Sequence, residues 1–126
     1  MPQTLIRRAE APRFGHDGTH VTGYASPSRG SASVSVWRLV LEPGASSPVH
    51  QLTQDEAFLA LSGAATVELA GEEFRLEAGD GLSVPPGTSF RIRNPGPDPF
   101  EAVACMATGG RAQVGDGEPF VPPWAR

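Results

Sequence analysis

Glycine and proline interrupt this chain so often that long helices have little room. The 126 residues include 15 Gly and 13 Pro, and one or the other recurs every several positions. Because both residue types mark turns and break regular helices, this spacing favours short strands that are joined by turns. We therefore expect an all-β fold, built as an antiparallel sandwich or jelly roll.

Seven segments between these turns have the composition of β-strands. In the segment of residues 89–93, Phe90 and Ile92 share one face of the strand, and the two arginines, at positions 91 and 93, lie on the other. This alternation predicts an apolar face toward the interior and an Arg face toward solvent. The dipeptide Ala70-Gly71 indicates a tight hairpin between two of the segments. The seven predicted strands are residues 33–41, 56–61, 65–69, 73–76, 81–84, 89–93 and 100–106.

Composition excludes several classes of protein. The net charge is −4, and the ten basic residues are all Arg and are scattered along the chain, which argues against a nucleic-acid partner. No apolar stretch approaches the length of a membrane span, and the first residues lack the apolar core of a signal peptide. The single cysteine, Cys105, excludes an intrachain disulfide. We expect one cytoplasmic domain with no membrane partner.

Two glycine-bounded segments, residues 44–63 and 79–94, carry the most specific pattern in the chain. Within the first, the marked positions are Gly44, His50, Leu52, Glu56 and Gly63. Within the second, they are Gly79, Pro85, Gly87, Phe90 and Asn94. This spacing resembles the two motifs of the cupin superfamily, small β-barrels that usually hold a divalent metal on three His and one Glu.

The resemblance implies a cupin double-stranded β-helix, or jelly-roll barrel, that spans residues 1–126 as a single domain. On this basis residues 1–29 are an extended N-terminal arm, residues 30–108 the barrel, and residues 109–126 a C-terminal tail that packs on the barrel or on a partner. Such arms often pair with a neighbouring subunit, and the tail is apolar. We therefore expect a homodimer.

Leu52 and Phe90 stand where the superfamily pattern has two of its metal-binding histidines. His50 and Glu56 match the remaining two ligand positions. A divalent metal such as Zn, Fe, Mn or Ni would then need a further donor, from Gln54 or from His16 or His20 of the N-terminal arm. One interpretation is therefore an incomplete metal site on His50, Glu56 and Gln54.

The alternative interpretation is a pocket that works without metal. The residues expected to line it are Leu52, Gln54, Phe58, Phe90 and Ile92. His50 and Glu56 would be the convergent polar groups, able to move a proton to and from a small-molecule ligand. The activity would be of the isomerase, cyclase or oxygenase type. A non-catalytic ligand-binding or structural homodimer, in which His50 and Glu56 only satisfy each other, stays open.

Overall fold

The computed structural model describes residues 4–126 and is built almost entirely from β-strands. This part of the chain contains eleven strands and two short 3₁₀ turns, Pro27–Arg29 and Pro123–Ala125. The strands are β1 Arg13–His16, β2 Thr19–Ala25, β3 Val34–Leu41, β4 His50–Leu52, β5 Glu56–Ser62, β6 Ala64–Leu69, β7 Glu72–Glu77, β8 Gly81–Val84, β9 Phe90–Arg93, β10 Phe100–Ala107 and β11 Ala112–Val114. None of the helical segments in residues 4–126 is long and apolar enough to cross a membrane.

Two antiparallel sheets face each other across one core. The six-stranded sheet has the order β1-β2-β3-β10-β5-β8, and the five-stranded sheet has the order β11-β4-β9-β6-β7. Both contribute buried apolar side chains to a single cluster, for example Trp37 and Phe100 from the larger sheet and Val67 and Ile92 from the smaller. The predicted all-β jelly-roll fold is confirmed.

All seven predicted strands are present, and each end lies within one residue of the predicted end. The predicted faces of β9 are also confirmed. Phe90 and Ile92 are each 2% exposed, whereas Arg91 forms an ion pair with Glu68 on the outer surface of the sheet. Period-two alternation locates these strands because one face of each is buried in the core.

Four strands lie outside the seven segments predicted above to be strands. β1 and β2 form a hairpin whose two turn residues, Asp17 and Gly18, both have positive φ, of 47° and 81°. This hairpin pairs with β3 of the same chain, and β11 pairs with β4. The sheets therefore extend beyond residues 30–108 on both sides. The expected arm and tail supply strands to the barrel itself.

The C-terminal turn packs on the barrel of its own chain. The ring of Trp124 lies 6.2 Å from that of Phe14 and 6.3 Å from that of Trp37, measured between centroids. Ser35, which is fully buried, donates a hydrogen bond of 3.0 Å to the carbonyl of Ala125. These contacts fix the last residues of the chain against β3.

Asn94, the only Asn in the sequence, has a structural role. It is buried, and its side-chain amide donates to the carbonyls of Leu41 at 2.9 Å and Asp98 at 2.8 Å. Its Oδ1 accepts from the backbone N–H of Gly96 at 3.0 Å. Buried backbone groups need hydrogen-bond partners. The Asn94 side chain supplies them to backbone groups of Leu41, Gly96 and Asp98.

Candidate functional site

The barrel encloses a cavity of about 580 Å³ between the two sheets. Its wall is mostly apolar and aromatic, and it is formed by both sheets together with the C-terminal segment. The apolar residues that line it are Phe14, Val21, Trp37, Leu39, Leu41, Leu52, Phe58, Phe90, Ile92, Ala112, Val114, Phe120 and Trp124, with three prolines. A concave apolar site with a few polar groups is the usual form of a small-molecule site.

Most of the predicted site residues meet in this cavity. Those that line it are His50, Leu52, Glu56, Phe58, Phe90 and Ile92. Gln54 does not line it. It lies exposed in the connection between β4 and β5, because residues 53–55 turn away from the barrel to join the two sheets. The predicted places of Gln54 in the pocket and in a metal site are therefore not supported by its position.

Glu56 supplies a buried carboxyl group to the cavity wall. It is the first residue of β5, and its register partners are Val84 and Met106, both buried. The side chain is 6% exposed, and its Oε1 has no hydrogen-bond partner among residues 4–126. Burial raises the pKa of Glu56 to about 8, since an unpaired carboxylate is poorly solvated there. At neutral pH the group is a neutral carboxylic acid that can donate a hydrogen bond.

His50 supplies a neutral imidazole on the opposite sheet. Its Nδ1 lies 2.7 Å from the carbonyl oxygen of Pro48. A carbonyl only accepts, so Nδ1 carries the proton and donates, and Nε2 keeps its lone pair. Burial lowers the pKa of His50, and the hydrogen bond to Pro48 opposes this shift in part. The imidazole therefore stays uncharged at neutral pH and can accept a proton at Nε2.

His50 and Glu56 line the same cavity from different sheets without pairing to each other. His50 lies on β4 of the five-stranded sheet and Glu56 on β5 of the six-stranded sheet. Within residues 4–126, Glu56 Oε1 has no partner and His50 bonds through Nδ1 to the backbone. The alternative in which the two side chains satisfy each other does not describe this structure. Both groups are left available to a ligand.

The donor atoms in the cavity do not fit a tight divalent-metal site. No group of three or more His, Cys, Asp or Glu side chains is placed to hold a metal in the described part of the chain. His16 lines the cavity, but its side chain is 89% exposed and its Nε2 pairs with Asp17 at 2.8 Å. His20 lies outside the cavity and pairs with Glu42. His50 and Glu56 alone fall short of the three donors that such a site requires.

The β1–β2 hairpin and the C-terminal segment add cavity residues that the sequence analysis misses. Phe14 and Val21 come from the hairpin, and Trp124 comes from the C-terminal turn. Asp-Gly is among the strongest short hairpin signals, so the dipeptide Asp17-Gly18 could have predicted the hairpin that carries Phe14 and Val21. Trp124 had no such signal, because its place depends on a contact with a distant strand.

Two antiparallel sheets that form a barrel around a mostly apolar cavity are the architecture expected of a small cupin. The sequence profile of the Cupin domain family matches residues 37–106, and the chain belongs to this family. Among curated proteins, Auxin-binding protein 1 of Arabidopsis thaliana is 24% identical over 104 residues, which cover 75% of this chain and 52% of the relative. Auxin-binding protein 5 of Zea mays is 29% identical over 71 residues, which cover 56% and 47%. The match thus spans about half the length of these relatives.

Solved structures share the fold at low sequence identity. A sugar phosphate isomerase of the cupin superfamily from Silicibacter pomeroyi has a TM-score of 0.74 at 20% identity, covering 89% of this chain and 82% of that one. The polyketide cyclase RemF from Streptomyces resistomycificus has a TM-score of 0.72 at 14% identity, covering 81% and 77%. At these identities the likeness establishes the barrel and leaves the chemistry to the residues of the cavity.

Proposed function

We propose that this cupin binds a small, largely apolar organic molecule in its cavity, and that Glu56 and His50 transfer a proton on it. The observation that carries the proposal is the Glu56 carboxyl group, which is buried on an apolar wall with Oε1 unpartnered. Leaving a buried polar atom unsatisfied is unfavourable. A ligand that accepts a hydrogen bond from this group would remove the penalty.

The two side chains have complementary protonation states. Glu56 is a neutral acid and His50 a neutral base. For a ketone ligand, Nε2 of His50 takes the proton from the carbon next to the carbonyl, and that C–H electron pair forms the C=C bond of an enol. The carbonyl oxygen receives the proton of Glu56. If the ketone carries a C=C bond next to that carbon, the enol is a dienol, and the His50 imidazolium returns the proton to the far carbon of the dienol. The enol O–H gives its proton back to the Glu56 carboxylate as the C=O bond re-forms, which completes an isomerisation with no change in oxidation state.

The comparisons agree with this class of reaction. The structural neighbours include proteins described as a sugar phosphate isomerase and a polyketide cyclase. Reactions of these two types rearrange bonds within one substrate, as the proposed proton transfer does. The neighbours share the barrel, and the assignment to this chain rests on Glu56 and His50.

A deuterium-exchange assay tests the proposal without knowledge of the natural ligand. The probe is 2-tetralone, a two-ring ketone with acidic C–H bonds, and the measurement is loss of its C1 proton signal in D₂O by NMR. We expect the wild-type protein to accelerate exchange above the buffer rate. Glu56→Gln and His50→Gln should each lower this acceleration at least tenfold, a conservative figure beside the roughly 10²–10⁴-fold that a positioned acid or base contributes.

Two surface variants are matched controls for these substitutions. Glu73→Gln changes a carboxylate on β7, and His20→Gln changes a histidine outside the cavity wall. Both should exchange the probe at the wild-type rate. A wild-type rate equal to that of buffer, or equal losses in the controls, would reject proton transfer by the cavity pair.

A second candidate function is ligand binding without turnover. It is favoured by the mostly apolar wall and by relatives described as auxin-binding proteins. Both Trp residues of the chain, Trp37 and Trp124, line the cavity, so their fluorescence reports on occupancy. Quenching by 2-tetralone with no acceleration of exchange would support this candidate over the enzyme.

A further inference from the structure

We infer that the cavity selects an uncharged ligand with a hydrogen-bond acceptor oxygen at each of two ends, in preference to a carboxylate or a phosphate. This inference rests on the proposed function, since it specifies the ligand of the same site. It is carried by the charges of the cavity wall and by the positions of two buried groups without partners.

The cavity wall provides no counterion for an anion. Lysine is absent from the chain, and none of the arginines in residues 4–126 lines the cavity. At the rim, the exposed His16 is already paired with Asp17 at 2.8 Å. Transfer of an anionic group into such surroundings is strongly unfavourable. A sugar phosphate or a carboxylic acid in its ionised form is therefore a poor occupant.

Two of the residues that line the cavity have a buried polar atom without a partner in the described chain, and both can donate a hydrogen bond, whereas Nε2 of His50 accepts one. One is the carboxyl group of Glu56, which is protonated at neutral pH. The other is Trp124, whose Nε1 is buried with no partner in the described chain. An indole N–H only donates. Each group would therefore be satisfied by an acceptor such as a ketone, ester or ether oxygen.

The strand register relates Glu56 to the C-terminal turn that carries Trp124, along one row of the larger sheet. Glu56 on β5 is opposite Met106 on β10, and Met106 is opposite Ser35 on β3. Ser35 in turn holds the carbonyl of Ala125, the neighbour of Trp124. Neighbouring strands lie about 4.8 Å apart, so roughly 10 Å separates the backbone positions of Glu56 and Ser35 across the sheet.

A pair of probes that differ in charge tests the first part of this inference. Binding of methyl 2-naphthoate and of 2-naphthoate is measured at pH 7 by titration calorimetry. We expect the uncharged ester to bind the wild-type protein at least tenfold more tightly, a conservative figure for an uncompensated buried anion, which costs roughly 1.4 kcal/mol or more. Equal or tighter binding of the carboxylate would overturn the inference and leave the proposed site intact. Binding of neither probe would overturn both.

The second donor is tested with Trp124→Phe, which removes the N–H and keeps an aromatic ring. The probes are 6-methoxy-2-tetralone, with acceptor oxygens at both ends, and 2-tetralone, with one. We expect the variant to lose about fivefold in affinity for the first, the usual worth of one hydrogen bond, and to keep its affinity for the second. Equal losses for the two probes, with an unchanged melting temperature, would show that Trp124 acts only by packing and would overturn the two-acceptor ligand.

Discussion

The ring of His50 lies against the ring of Phe90, with 4.3 Å between centroids and 44° between planes. The two residues are direct register partners between β4 and β9. In the superfamily pattern, the position of Phe90 belongs to a second metal-binding histidine. Here an aromatic ring fills it, and the same apolar surroundings keep the remaining imidazole neutral. Phe90 supplies no donor atom at this position, and in the proposed function the neutral imidazole of His50 acts as the base.

Histidines introduced in place of Leu52 and Phe90 should create a metal site. Leu52 and Phe90 both line the cavity with His50 and Glu56, so Leu52→His with Phe90→His completes a set of four donors. We expect nearly one divalent ion per chain by elemental mass spectrometry after dialysis, with much less in the wild-type protein. Adding His50→Ala to the double variant should abolish the gain. A wild-type protein that retains one metal per chain under the same dialysis would contradict the account.

The buried Glu56 carboxyl group should make stability fall as pH rises. Its pKa is raised from 4.5 to about 8 in the folded protein, so between these values the folded state holds a proton that the unfolded state has released. The stabilisation is complete below pH 4.5 and is lost progressively up to about pH 8. The loss is at most about 5 kcal/mol in the free energy of unfolding.

The control for this prediction is Glu56→Gln, which cannot titrate. Urea unfolding of both proteins from pH 4 to pH 9 gives the difference directly, and that difference should change across this window. His50 acts with the opposite sign. Its folded pKa is lowered, so its stabilisation is present above about pH 6.5 and is lost as pH falls through the lowered value. Parallel pH profiles for the wild type and Glu56→Gln would refute an elevated pKa at Glu56.

Gly63 and Gly79 should respond differently to the same substitution. Both have positive φ, of 72° and 92°. A Cβ at Gly63 would clash with the carbonyl oxygen of Pro99 and lie 3.1 Å from Cα of Phe100, whereas one at Gly79 would meet nothing within 4 Å. We expect Gly79→Ala to destabilise by about 1 kcal/mol from backbone strain alone. Gly63→Ala should lower the free energy of unfolding by several times more. Equal losses of stability for the two variants in thermal unfolding would show that the loop containing Pro99 moves to accommodate the added Cβ.

The hairpin between β6 and β7 offers a stabilising substitution. Ala70 has a φ of 50° and Gly71 a φ of 86°, which are the values of a type I′ turn with Ala at a position that favours Asn or Gly. Ala70→Asn should raise the free energy of unfolding by roughly 0.5–1 kcal/mol. Ala32→Asn, at an exposed residue outside the positive-φ positions, is the control. No difference between the two variants would mean that the turn relaxes without strain.

Much of the fold could be predicted because its signals are local. Alternation places Phe90 and Ile92 inside and Arg91 outside, and the Ala70-Gly71 dipeptide marks its own turn. The short strands β4 and β11, with three residues each, are too brief for alternation to register. They form because each has a neighbour in the sheet, which is information that lies elsewhere in the chain.

The sequence predicts most of the residues that line the site, but it does not predict their hydrogen bonds or protonation states. Motif spacing brings His50, Glu56 and Phe90 to one cavity, whereas Gln54, which we expected there as a further donor, lies outside it. Spacing alone does not give the direction of a turn residue. It also does not show that Glu56 is unpartnered or that Pro48 fixes the tautomer of His50, because both depend on the burial and backbone geometry of the folded chain.

The ionisation of Glu56 is the most direct test of the account. NMR of protein labelled with ¹³C at the glutamate carboxyl carbons follows each side chain through a pH titration, and Glu56→Gln assigns the signal that disappears. The account predicts a midpoint of about 8 for this carboxyl group, so that it is protonated at neutral pH and able to donate. A midpoint near the ordinary value of 4.5 would make Glu56 a carboxylate at neutral pH. That result would contradict the proton-donating cavity on which the proposed function rests.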